Sequence, residues 1–230
     1  MTTIFKVQNH TEHKYLNKNG IIIFIKNPQL GKVKTRLAAT VGNERALEIY
    51  QVLLNHTQKI TSSLKVEKFL FYSDFIDEND IWRNEFYHKS LQNPVEDLGF
   101  KMADAFTQLL DDGFEKALII GSDCLELTTD ILITAFDELA DNEVVIGPAL
   151  DGGYYLIGFN FNKIGERSNE VLTNIFLNKQ WSHNEVYKEA MHSFEVLNLK
   201  YAQLTILTDI DEEKDFLKMR SILDNQANND

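Results

Sequence analysis

Ile21-Ile22-Ile23-Phe24-Ile25 is an unbroken apolar run, mostly β-branched, and it empties into the loop Lys26-Asn27-Pro28-Gln29-Leu30-Gly31-Lys32-Val33-Lys34-Thr35-Arg36. A short run without polar alternation reads as a strand buried on both faces, the mark of a parallel sheet covered by helices. The same signature returns at Ala117-Leu118-Ile119-Ile120, and weaker strand patterns cover Val66–Tyr72, Glu143–Ile146, Tyr155–Phe159 and Leu204–Leu207. Between them the apolar spacing is helical. Helices are predicted at 42–59, 77–86, 97–110, from a cap at Thr129 or Asp130 to 139, at 169–177, at 183–192 and at 211–223. Strands alternating with helices predict an α/β fold, a single Rossmann-like domain whose mostly parallel central sheet carries helices on both faces. Residues 1–19 read as a polar extension, flexible or an edge strand, and 20–230 as the domain.

Bulk properties narrow the function. Asp and Glu total 35 against 23 Lys and Arg, a formal net charge of -12. Such a chain lacks the basic excess that nucleic acid or an anionic membrane surface demands. The single cysteine, Cys124, cannot form an internal disulfide, which suits a reducing compartment. No secretory leader or membrane-spanning stretch is legible, so the cytoplasm is the expected location.

Against that acidic background the loop after Ile25 is anomalous. No acidic residue occurs from Lys26 to Asn43, while Lys26, Lys32, Lys34 and Arg36 crowd into it. Gly31 frees backbone N–H groups, and Lys and Arg add charge, a combination suited to a di- or triphosphate. A solvated basic loop would read the same way, and the Gly-Lys-Ser/Thr of a Walker loop is absent.

Three acidic sites also follow strands. Asp123 stands just past Ile120, where ligands of open α/β sheets collect, and could bind Mg²⁺ or close a turn. Asp151-Gly152-Gly153-Tyr154 is either a ligand-facing loop or a simple hairpin. Asp209-Ile210-Asp211-Glu212-Glu213 offers further metal ligands, or only acids favouring a helix dipole. The histidines show no zinc spacing.

These residues together resemble a bacterial family of GT-A-like proteins, some labelled glycosyltransferases of arsenosugar biosynthesis. The resemblance runs through Phe24-x-Lys26-x-Pro28-x-x-Gly31-x-x-Lys34-Thr35-Arg36-Leu37, Asp97-Leu98-Gly99-x-Lys101-Met102, Gly121-Ser122-Asp123, the long string from Gly147 to Gly158, Trp181-Ser182 and Asp209-x-Asp211-x-x-x-Asp215. The wider nucleotide-diphospho-sugar transferase superfamily includes phospholactate and molybdenum-cofactor guanylyltransferases. The resemblance implies that Lys26, Gly31, Lys34, Thr35, Arg36 and Lys101 bind the nucleotide, and that Asp123 and Asp211 hold Mg²⁺ or Mn²⁺. It further implies that Asp151, Gly152, Gly153 and Tyr154 shape the acceptor side. Leu125 stands where the family usually has proline, which predicts a looser metal loop, and Lys101 replaces a common arginine.

The expected activity is transfer of a sugar from a nucleoside-diphosphate sugar to a small acceptor. Lys34 and Arg36 would stabilise the leaving diphosphate, with Asp151 as base if the transfer inverts. Two rivals stand beside it: nucleotidyl transfer with pyrophosphate release, and a catalytically silent nucleotide- or partner-binding module.

Overall fold

The computed structural model describes residues 18–217. Its centre is a seven-stranded sheet in the order β3-β2-β1-β4-β6-β5-β7. The strands are β1 (Asn19–Ile25), β2 (Glu67–Tyr72), β3 (His88–Leu91), β4 (Lys116–Ile120), β5 (Val144–Pro148), β6 (Tyr154–Asn160) and β7 (Tyr201–Gln203). The helices are α1 (Thr35–Val41), α2 (Asn43–Ser62), α3 (Leu98–Asp111), α4 (Thr129–Asp141), α5 (Phe161–Ile164), α6 (Ser168–Phe176) and α7 (Val186–Val196).

The apolar run of β1 is buried on both faces as its composition demands. Ile21, Ile23 and Ile25 enter a core under α1, α2 and α4. Ile22 faces the other way, into a core under α3, α5, α6 and α7. The neighbouring β4 divides likewise, Leu118 and Ile120 to the first core and Ala117 and Ile119 to the second.

Six strands run parallel and β6 runs against both its neighbours. The cause is the short connection after β5. Ala149 donates to Gly153 and Gly152 donates to Ala149, closing a hairpin that returns the chain at once and inserts β6 between β4 and β5. The Asp151-Gly152-Gly153 turn is thus a hairpin, and it also faces the carboxyl edge of the sheet.

Some elements depart from the sequence reading. Residues 77–86 form turns, not a helix. Asp77 and Asp80 accept bonds from the backbone of Asn79 and Trp82, a local alternative that competes with helix. Lys89 then pins the loop by donating to the Asp77 carbonyl and to Asp80. The polar strand β3 carries no apolar signature and is held by pairing with β2 and by the side-chain contacts of His88 and Lys89. The last strand lies at Tyr201–Gln203 rather than 204–207, and beyond it only Leu207 bridges, to Ala149. A short helix, α1, occupies part of the expected loop, and Thr128 rather than Thr129 or Asp130 caps α4. The extension at 1–17 and the final helix beyond residue 217 lie outside the described residues. Among the described residues no helix is long and apolar enough to cross a membrane.

Packing between the second-face helices is tightest at Gly99, where an added Cβ would lie 2.0 Å from the Phe176 carbonyl oxygen and 2.7 Å from the Trp181 indole. At Gly121 it would meet nothing within 4 Å. Overpacking costs about 1–3 kcal/mol, and at this size each kcal/mol is worth roughly 2–4 °C. Thermal denaturation should therefore show Gly99→Ala melting several degrees below wild type and Gly121→Ala close to it.

Candidate functional site

The carboxyl ends of β1, β4, β5 and β7 share one edge, because β1 pairs with β4 in register and β7 follows β5 in parallel. The loops leaving these ends supply Lys34, Asp123, Asp151, Asp209 and Asp211. A hydroxyl from α2 sets the first two loops side by side. Tyr50 Oη accepts from Lys26 N at 2.8 Å, donates to Lys26 O at 3.0 Å, and lies 3.3 Å from Ser122 Oγ. Burial pushes this phenol above its ordinary pKa and keeps the proton it needs to donate.

Downstream, Asn27 is 2% exposed and clasps the loop after β2: its amide donates to the Phe75 carbonyl and its oxygen accepts from Asp74 and Phe75 N–H. Gly31 turns at φ +73. Lys34 itself sits in the left-handed region, φ 46 and ψ 46, just before α1. That conformation is costly for a residue with a side chain, by about 1–3 kcal/mol, and persists where the surroundings impose it.

Here the surroundings are two carboxylates. Lys34 Nζ is 3.0 Å from Asp123 Oδ1 and 3.1 Å from Asp211 Oδ1, and its side chain is 6% exposed while theirs are 44% and 40%. Burial pulls the ammonium pKa down, but Asp123 and Asp211 outweigh it and leave Lys34 above its ordinary value. Arg36 Nη1 stands 3.9 Å from Asp211 Oδ2 and is otherwise exposed.

Both acidic loops are anchored. Ile210 N donates to the Asp123 carbonyl at 2.9 Å, and Thr208 N to Glu126. Asp215 accepts from Asp211 N and Glu212 N, fixing the turn that presents Asp211. Leu125, which stands where the resemblance has proline, packs into the core with Cys124 and Leu127. The buried thiol of Cys124 is pushed up in pKa, first by burial and then by Asp209.

The sequence-derived set therefore divides. Lys34, Arg36, Asp123 and Asp211 converge. Lys26, Gly31 and Thr35 line the same loop, exposed. Asp151 is exposed at the hairpin tip, its Oδ1 accepting from Gly153 N at 2.9 Å. Gly152, at φ +94, lets its neighbour's backbone come close: an added Cβ would lie 2.1 Å from the Asn184 carbonyl. Tyr154 points into the second core beside Trp181, ring centroids 6.4 Å apart. Lys101 lies in the first turn of α3, a helix whose apolar residues pack in the second core. Tyr50 and Asn27 escaped prediction as site-builders, since each acts through backbone that only the fold brings within reach, whereas Asp215 acts on backbone three and four residues away.

Asp209 also gains weight. It is half-buried beside Asp123, Asp151 and Asp211. Burial, then Asp123, Asp151 and Asp211, push its carboxyl up to about 7 against an ordinary 3.8, with Lys34 opposing. Among the described residues no group of three His, Cys, Asp or Glu side chains is placed to hold a metal ion. The donor set is two carboxylates, and Mg²⁺ commonly takes one or two carboxylates and completes its shell with phosphate oxygens and water. Asp123 and Asp211 fit that requirement.

The raised Asp209 carboxyl has a consequence for the metal-free protein. Between pH 3.8 and about 7 the native state binds a proton that the unfolded chain has released, so stability falls as pH rises through that window. Asp209→Asn should melt above wild type at pH 8, with the difference closing as the pH is lowered toward 4. A pH-independent difference in melting temperature would refute this account.

The architecture recurs in solved structures. A candidate nucleotide-diphospho-sugar transferase from Desulfovibrio desulfuricans G20 is 27% identical, with a TM-score of 0.75 over 86% of this chain and 84% of that one. The 4-diphosphocytidyl-2C-methyl-D-erythritol synthase of Anaerococcus prevotii DSM 20548 shares 13% identity at a TM-score of 0.58, covering 90% of this chain and 96% of its own. A CMP:2-keto-3-deoxy-manno-octonic acid synthetase, solved with CTP, shares 8% at 0.54, covering 91% and 100%. The last two likenesses are of fold alone. No curated protein matches the chain. The family profile described as uncharacterized protein conserved in bacteria (DUF2064) spans residues 56–183, more than half the chain and inclusive of β4 and the Asp123 loop, and the protein belongs to that family.

Proposed function

We propose that this protein is a metal-dependent transferase that grips the phosphate chain of a nucleotide at the carboxyl edge of its sheet, and that the group it moves is a sugar. The observation that carries the reading is the convergence of Lys34 on Asp123 and Asp211, with Arg36 alongside. Cations for a diphosphate and carboxylates for a metal meet there at the end of a loop free of competing acids. The choice of sugar leans on the Desulfovibrio desulfuricans protein, named for nucleotide-diphospho-sugar transfer and 27% identical.

In this reading Lys34 and Arg36 bind the diphosphate and take up the charge that grows as the sugar–phosphate bond breaks. Asp123 and Asp211 hold Mg²⁺ or Mn²⁺, which when bound supplies Lewis-acid neutralisation of the leaving diphosphate. Asp151, at the exposed tip with one oxygen tied to Gly153 N, orients the acceptor hydroxyl and accepts its proton as the new bond to the anomeric carbon forms. Gly152, against which the Asn184 backbone packs, holds the tip that presents Asp151.

A second reading is favoured by the charge of the loop. Lys26, Lys32, Lys34 and Arg36 suit a triphosphate at least as well, and the cytidylyl-transferring proteins share the fold. An acceptor phosphate would then attack the α-phosphorus and release pyrophosphate.

Melting-temperature shifts with Mg²⁺ or Mn²⁺ separate the two. Ligand at 100 times its Kd adds about 2.7 kcal/mol, a rise of roughly 5–11 °C at this size. Sugar transfer requires a metal-dependent shift with nucleoside-diphosphate sugars and release of nucleoside diphosphate on turnover. Shifts confined to triphosphates, with pyrophosphate released, would establish the second reading. In either case Asp123→Asn should erase the metal-dependent part of the shift and leave the unliganded fold intact; an unchanged metal dependence would remove Asp123 from the site.

A further inference from the structure

The ammonium of Lys34 occupies the ground between the two carboxylates assigned to the metal. It is 3.0 Å from one and 3.1 Å from the other, while its own side chain is 6% exposed. Resting on the transferase reading, we infer that Lys34 is a built-in counter-ion that withholds the carboxylate pair from a divalent cation until a phosphate chain arrives, so that metal and nucleotide bind as a coupled pair.

The charge balance gives the reason. With Lys34 in place, Asp123 and Asp211 are half-neutralised, and a divalent cation meeting the same oxygens also meets an ammonium about one contact away. Like charges at that distance repel strongly where solvent is scarce. Lys34 cannot simply withdraw, because a buried ammonium stripped of both partners is left uncompensated, the costly state for a buried ion pair. Nor does the backbone offer an easy retreat: Lys34 is fixed in the left-handed conformation directly before α1, with Val33 and Leu37 buried on either side of it.

A diphosphate changes each of these terms. It offers the ammonium a new anionic partner and offers the metal extra oxygen ligands. Lys34 turns from carboxylate to phosphate, the metal takes its place on Asp123 and Asp211, and every charge stays paired. Because binding linkage is reciprocal, the phosphate chain gains affinity from the metal by the same factor that the metal gains from it. The feature that makes the exchange possible is the asymmetry in exposure. The two carboxylates, at 44% and 40%, are open to an incoming cation from above while the lysine lies beneath them.

The test is Mn²⁺ binding to the full chain, without nucleotide, read by electron paramagnetic resonance of the free ion. Wild type should bind weakly. K34M and K34Q, which remove the charge and keep most of the side chain's bulk, should bind at least ten-fold more tightly. K34R, which restores the charge, should return to the wild-type value. The gain must vanish in K34M/D123N. Circular dichroism and melting curves establish that each variant is folded, with K34Q as the gentler replacement should K34M be unstable. Equal affinity in wild type and both neutral variants, with D123N abolishing all of it, overturns the inference while leaving the transferase site intact. Mn²⁺ binding indifferent to D123N in every background overturns both, since the metal would then lie elsewhere.

Discussion

One phenolic hydroxyl makes the site possible. Tyr50 reaches from the middle of α2 to the point where β1 and β4 release their chains, bonding both backbone groups of Lys26 and touching Ser122. Adjacent parallel strands always end near one another, but their loops are free to diverge. This clasp holds the basic loop and the Asp123 loop together, so that Lys34 can close on Asp123 and, across the sheet, on Asp211. The tyrosine is buried, so its bonds are not competed away by water. Losing the hydroxyl would take the partner from a part-buried backbone N–H and carbonyl of Lys26 at once.

Much of the fold was readable from the residues because burial on two faces leaves a blunt record. Ile21–Ile25 and Ala117–Ile120 could be little else than central strands, and the strand-end positions of the basic loop, Asp123 and Asp151 followed from them. What could not be read were features made by geometry rather than composition. β3 is polar and exists through pairing with β2. The turns at 77–86 mimic a helical pattern but are fixed by Asp77, Asp80 and Lys89. The antiparallel course of β6 follows from the length of a turn, not from the strand's own residues.

The site divides in the same way. Residue type and position after a strand brought forward Lys34, Arg36 and Asp123, and the family resemblance chose Asp211 over Asp209. That Lys34 bridges two carboxylates is a fact of mutual distance, across more than 170 intervening positions in the case of Lys34 and Asp211, and the raised Asp209 carboxyl follows first from its burial. Lys101, grouped with the phosphate loop by motif likeness, comes from a different element, the first turn of α3.

The hairpin between β5 and β6 also divides the molecule by order of assembly. Strands β1 to β4 and their crossover helices can pair largely in chain order, whereas β6 reaches β4 only after the chain has passed through β5 and turned back. Local closure is fast and distant closure slow, and the β5–β6 turn is the local one of the two. Lys34 and Asp123 belong to the early half, and Asp151, Asp209 and Asp211 to the late one. The seam between the two halves runs through the site itself. A ligand that bridges it ties the two halves together.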